Sequence, residues 1–146
     1  MGKINSRSKG VRGEMEIRDI YQQNLGLTFK RDIEQYRAGD HGDLICTDMD
    51  FPFVTEVKLY AAGYGARPDW WDQVCKAAKS AGAGKLPLLV YRFDRQQWRW
   101  RFPLEAIASL RDYIPAPGDV RYDWRYASEC DTETAMMIIR EIISDD

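Results

Sequence analysis

Apolar residues recur along this chain with two different periods, and the order of those periods predicts a mixed α/β domain. Val11, Met15, Ile17, Ile20, Tyr21 and Leu25 follow the three-and-four spacing of an amphipathic helix, which Gly26 ends. Two short strands are predicted at residues 32–37 and 43–47, separated by the Gly-containing loop 38–42. The run Phe53–Tyr60 is rich in β-branched and aromatic residues and reads as a third strand. After a loop at 63–68, Pro68 is placed for the first turn of a helix that Gly82 and Gly84 stop near Ala81. Residues 88–93 read as a buried strand, Arg95 and Gln96 as a turn, and 97–102 as an alternating strand. A short helix at 104–111, a Pro/Gly segment at 115–118 and a last helix over 132–144 complete the chain. Ala135, Ile138, Ile139, Ile142 and Ile143 make the apolar stripe of that helix. This order implies one α/β domain, a mixed central sheet flanked by helices (αβββαββ) plus a C-terminal helix. We expect a flexible basic arm at 1–10, the core at 11–114, and an acidic extension at 115–146 whose helix packs on the core.

The 146 residues are enough for one hydrophobic core. No apolar run is long enough for a membrane span, and the basic N-terminus lacks the apolar stretch of a secretory signal. Three scattered cysteines, Cys46, Cys75 and Cys130, form no disulfide or zinc pattern, and a cytoplasmic location is expected. The formal charge of −2 is unevenly spread. Residues 115–146 hold eight acids and three arginines, a net −5, which leaves +3 for residues 1–114. Lys3, Arg7, Lys9 and Arg12 fall in the first twelve residues with no acid among them, so the local field there permits phosphate binding.

The strand Phe53–Tyr60 carries the chemistry. Side chains alternate along a strand, so Glu56 and Lys58 share one face while Thr55, Val57 and Leu59 share the other. A carboxylate and an ammonium among apolar neighbours are costly unless paired with each other or with a ligand. Asp43 stands thirteen residues before Glu56, and a returning strand would set the two side by side, with the Val57 carbonyl close to both. Such a set of hard oxygens suits Mg²⁺ and metal-assisted hydrolysis, with Lys58 serving the attacking water. The Glu-x-Lys tripeptide alone equally describes an ordinary ion pair on a sheet surface.

Asp43, twelve intervening residues and then Glu56-Val57-Lys58 resemble the signature of the PD-(D/E)XK nucleases, with Gly42-Asp43 where that superfamily often has Pro-Asp. Lys9-Gly10-Val11-Arg12-Gly13-Glu14 is similar to the Lys-Gly-x-x-x-Glu opening of the archaeal-type Holliday junction resolvases. Asp72-Gln73 and the two strands after it match the same branch. The resemblance spans roughly residues 9–102. It implies that Glu14 joins Asp43 and Glu56 at a Mg²⁺ site, with Mn²⁺ able to substitute, that Gln73 supports Lys58, and that DNA, possibly branched, is cut by a homodimer. Glu16 is the alternative to Glu14. A restriction, repair or phage nuclease acting on duplex or flapped DNA, and a silent DNA-binding module of the same fold, stay open beside the resolvase-like reading. The loop at 63–68, the double tryptophan and the acidic extension depart from the archaeal pattern.

Arg67, Lys76, Lys79 and Lys85 surround the helix after the Glu-x-Lys strand and are the expected phosphate contacts, together with Lys3, Arg7, Lys9 and Arg12. Trp98, Trp100 and Phe102 should fill the core, with Arg99 and Arg101 solvated. Of Trp70 and Trp71, one should pack inside and the other cover the cleft edge. His41 is the sole histidine, which argues against histidine-rich metal sites and Ser-His triads.

Overall fold

The computed structural model describes residues 6–32 and 42–144 of the chain. Lys3, His41 and most of the strand expected at 32–37 lie outside the described residues, as does the side chain of Arg7. The elements are α1 (Ser6–Leu25), β1 (Phe29–Arg31), β2 (Leu44–Cys46), β3 (Phe53–Tyr60), α2 (Pro68–Ala81), β4 (Leu86–Phe93), β5 (Arg99–Pro103), β6 (Ala127–Cys130) and α3 (Thr132–Ser144). Short 3₁₀ turns at Leu104–Ala106 and Ala108–Tyr113 replace the helix expected at 104–111, and a third lies at Trp124–Tyr126.

The six strands follow one another in chain order across a single sheet. β3 and β4 run parallel, joined over α2, and every other neighbour is antiparallel. Helices cover both faces. On one, Ile17 and Tyr21 of α1 and Ala135, Met136 and Ile139 of α3 meet Phe53, Val57, Leu88, Val90, Trp98, Trp100 and Phe102. On the other, Trp70, Trp71, Val74 and Ala78 of α2 meet Val54, Leu89, Tyr91 and Phe93. No helix among the described residues is long and apolar enough to cross a membrane.

Several expectations require correction. α1 starts at Ser6, inside the segment expected to be an arm, and Lys9 donates at 2.6 Å to Asp94, the residue that follows β4. A tertiary ion pair therefore holds a first turn whose Ser-Arg-Ser-Lys sequence has no apolar face. Phe29–Arg31 forms a strand where none was expected. A sixth strand, β6, lies in the acidic segment and closes the sheet against β5, from Trp100↔Cys130 to Pro103↔Ala127. Both Trp70 and Trp71 are buried, so neither forms a cleft edge. Arg101 is not simply solvated: it donates to the Trp124 carbonyl at 3.0 Å and lies 3.7 Å over the Trp124 ring.

Trp100 ties the two ends of the core together. It is fully buried, packs edge-on against Tyr21 and donates Nε1–H to Thr132 Oγ1 at 2.9 Å, at the start of α3. Trp100→Ala should cost roughly 3–5 kcal/mol from the cavity and the lost bond. A urea titration that leaves the midpoint unmoved would contradict this packing role.

Candidate active site

β2 is short, and its pairing with β3 stops at Leu44↔Thr55. Asp43 is the preceding residue, beside β3 just before β2 begins. Its amide donates to the Thr55 carbonyl at 2.8 Å, and its carbonyl accepts from the Asp32 amide at 3.0 Å. With no further β2 residue to pair, the Val57 amide would be an orphan in a buried place, and Asp43 Oδ2 accepts from it at 2.7 Å. The carboxylate thus completes the ladder and is fixed at the edge of β3. In a strand the N–H and C=O of one residue point to the same side, so the Val57 carbonyl faces this same notch.

The turn into Asp43 needs glycine. Gly42 has φ +73, and a Cβ there would lie 2.7 Å from the Thr55 carbonyl oxygen and 2.8 Å from Val54 Cγ1.

Glu56 and Lys58 project from the α2 face of β3. α2 begins with Pro68 in its first turn and brings Gln73 above them. Lys58 Nζ donates to Gln73 Oε1 at 2.7 Å, and Gln73 Nε2 donates to Glu56 Oε2 at 3.4 Å. One amide therefore sets both the ammonium and the carboxylate. Glu56 is 3% exposed, and burial, followed by Asp43, pushes its carboxyl well above the usual range.

Glu14 arrives from the opposite face of the sheet. α1 lies so close to β3 that a Cβ on Gly13 would come within 3.1 Å of Leu59 Cβ and 3.3 Å of Val57 Cγ1. That approach carries the neighbouring Glu14 to the notch. Burial and the charge of Asp43 raise its carboxyl, while Arg31, bonded through Nε at 2.8 Å, and Lys58 oppose the shift. Glu16 is turned elsewhere: it accepts from Arg92 at 3.0 Å and from Trp98 Nε1 at 3.3 Å. Of the two candidate glutamates, Glu14 is the one at the site.

Glu14, Asp43, Glu56, Lys58 and Gln73 are therefore brought together. Arg31 was not anticipated; its signal was the charged run Lys30-Arg31-Asp32, which the strand expected at 32–37 obscured. The basic residues fare differently. Arg12 shares Glu16 and Asp94, Arg67 pairs with Asp69, and Lys85 is taken by Asp50 and the Phe51 carbonyl at the start of β4. Lys9 is covered by its pair with Asp94. Lys76 is exposed, and Lys79 is exposed with its ammonium 4.6 Å over the Tyr122 ring.

The sequence profile of the family described as "Phage putative PDDEXK endonuclease" matches residues 5–140. The chain belongs to this family. Its membership supports nuclease function for the chain. Protein D14 of Escherichia phage T5 is 25% identical over 112 residues, 65% of this chain and 69% of that protein. The solved structure of Hjc, a Holliday junction resolvase from Archaeoglobus fulgidus, aligns with 92% of this chain and 98% of its own, at 15% identity and a TM-score of 0.48.

The donor set of this endonuclease suits a hard divalent cation. Asp43 and Glu56 are two buried carboxylates, and after burial itself the charge of Asp43 raises the proton affinity of Glu56, an arrangement a cation relieves. Among the described residues no three His, Cys, Asp or Glu side chains are gathered as a closed ligand cluster, and Glu14 is engaged by Arg31. The fit rests on Asp43, Glu56 and the Val57 carbonyl, with Glu14 adjacent.

Proposed function

We propose that this phage-type endonuclease is a Mg²⁺-dependent endodeoxyribonuclease, with Mn²⁺ able to replace Mg²⁺. Asp43, Glu56 and the Val57 carbonyl would hold the ion, and Glu14 would complete the site from the opposite face. When bound, the metal supplies Lewis-acid polarisation of a phosphate oxygen and a more acidic water. The chain's own residues supply the rest. Lys58, held by Gln73, orients the attacking water and offsets charge that builds on the phosphate oxygens in the transition state. Burial of Glu56 excludes bulk water from the back of the notch. The observation that carries this reading is the meeting of Asp43, Glu56 and Lys58 on one strand edge in a member of an endonuclease family.

For the finer substrate we propose branched DNA, cut by a homodimer in the cytoplasm of the infected cell. The Lys9–Glu14 opening and Gln73 support this reading, and paired cuts across a branch call for a twofold assembly. Cleavage of four-way junction, flap, duplex and single-stranded DNA with Mg²⁺, Mn²⁺ and EDTA tests both levels. Metal-dependent cutting of any of them, strongest on the junction and by a dimer, is expected. A monomer cutting linear duplex equally well would refute the branched substrate, and salt-sensitive binding with no cleavage would refute the nuclease.

A further inference from the structure

The Glu56 face of β3 continues outward beyond Lys58. Glu56 is 3% exposed, Lys58 is half-buried and Tyr60 is 41% exposed, so the alternate side chains of one strand climb from the back of the notch to its mouth. Tyr60 is about 7 Å along the strand from Lys58, within reach of the nucleotide next to a phosphate held there. Its ring stacks on buried Trp70 at 5.0 Å and 21°, which fixes one side of it while the rest faces solvent. Arg67 lies 5.4 Å over the same Trp70 ring.

Just past Tyr60, the chain displays a second aromatic ring. Tyr64 is fully exposed, between Gly63 and Gly65, yet its backbone is anchored. Gly63 is pressed onto Phe93 so tightly that a Cβ would fall 2.3 Å from the ring, and Arg99 donates to the Tyr64 carbonyl at 3.4 Å. A large apolar ring held in water on a seated loop has no role in this chain's own packing.

We propose that Tyr60 and Tyr64 form a stacking platform for an unpaired base beside the cut phosphodiester, flanked by Arg67 and Arg99 for its backbone. A tyrosine ring accepts any base by its π-face, so the platform selects DNA in which a nucleotide has left the duplex stack. This inference rests on DNA being cut at Glu56 and Lys58. Trp70 serves as the buried support of the Tyr60 ring.

The test uses a short flap substrate with 2-aminopurine at each unpaired nucleotide in turn. Wild-type protein should quench the probe at one position as the base stacks. Tyr64→Ala, whose side chain touches no core residue, should weaken this quench. Tyr60→Ala/Tyr64→Ala should abolish it, raising KM by about five- to a hundredfold while changing kcat little. Tyr60→Phe and Tyr64→Phe should restore both. An unchanged quench and KM in the alanine variants would overturn the platform. The quench needs no cleavage, so a wild-type protein that cuts nothing refutes the nuclease reading while the quench still decides the platform.

Discussion

Glu56→Gln is expected to lower metal-dependent cleavage by about a thousandfold or more while making the metal-free protein harder to unfold. The two effects share one cause. Glu56 is buried beside Asp43, and both conditions penalise its charged form. In the folded chain its carboxyl keeps a proton at pH values where the unfolded chain, titrating near 4.5, has lost it. Stability from this group is therefore fully present below about pH 4.5 and is lost as the pH rises through the raised folded value. Glu14 is shifted the same way, first by burial and then by Asp43, so it adds to the same trend. Glutamine has no charge to desolvate, so the variant should lose most of the pH slope and gain roughly 1–2 kcal/mol at neutral pH, a few degrees in Tm. It would also remove an anionic oxygen from the proposed cation site and weaken the position of Gln73, through which Lys58 is held. Melting curves from pH 4 to 8 with and without Mg²⁺ check this. Wild type should be stabilised by Mg²⁺ at neutral pH and the variant much less. A variant that melts lower than wild type at pH 7 without metal would show that Glu56 is not held against its charge.

Gly42→Ala should be the most damaging small substitution near the site. The residue stands in the left-handed region, where a Cβ already costs about 1 kcal/mol. Here that Cβ would also meet the Thr55 backbone oxygen and Val54 Cγ1 well inside contact distance. The backbone would have to withdraw, breaking the Asp43 amide bond to Thr55 and drawing Oδ2 away from the Val57 amide. We expect roughly 2–4 kcal/mol lost in urea unfolding and loss of detectable cleavage. Hydrogen exchange should speed up at Asp43 and Val57 before the rest of the sheet. A folded, fully active Gly42→Ala protein would show that the turn into Asp43 has a second acceptable path.

How much of this could be read from the chain varies with how local the cause is. Phe53–Tyr60 agrees with expectation to the residue and the helix from Pro68 ends near where it was expected, because alternation, a proline at the helix start and Gly82 at its end are written within each segment. β6 was missed because Ala127-Ser-Glu-Cys has neither apolar alternation nor β-branched residues, and it is a strand only because β5 offers it a backbone edge. Within the site, Asp43 and Glu56 followed from a returning strand, and Lys58 followed from alternation. Glu14 and Gln73 needed a family resemblance, since nothing local distinguishes Glu14 from Glu16. Arg31 escaped altogether: its partner is 17 residues away on a helix that packs against the far side of β3. For the basic residues, sequence counts charges and does not show that Lys9 and Lys85 have carboxylate partners.

The strand at Ala127–Cys130 also limits how this protein can be shortened. Every residue gathered in the notch precedes position 74, which makes the acidic end look dispensable. Yet a chain stopped near residue 114 would leave β5 as an open, hydrogen-bonding edge and strip Trp100 of its Thr132 partner. Bare edges of that kind recruit one another, so such a fragment should precipitate rather than persist as a miniature enzyme. A frameshift late in the reading frame would be as disabling as one through Glu56.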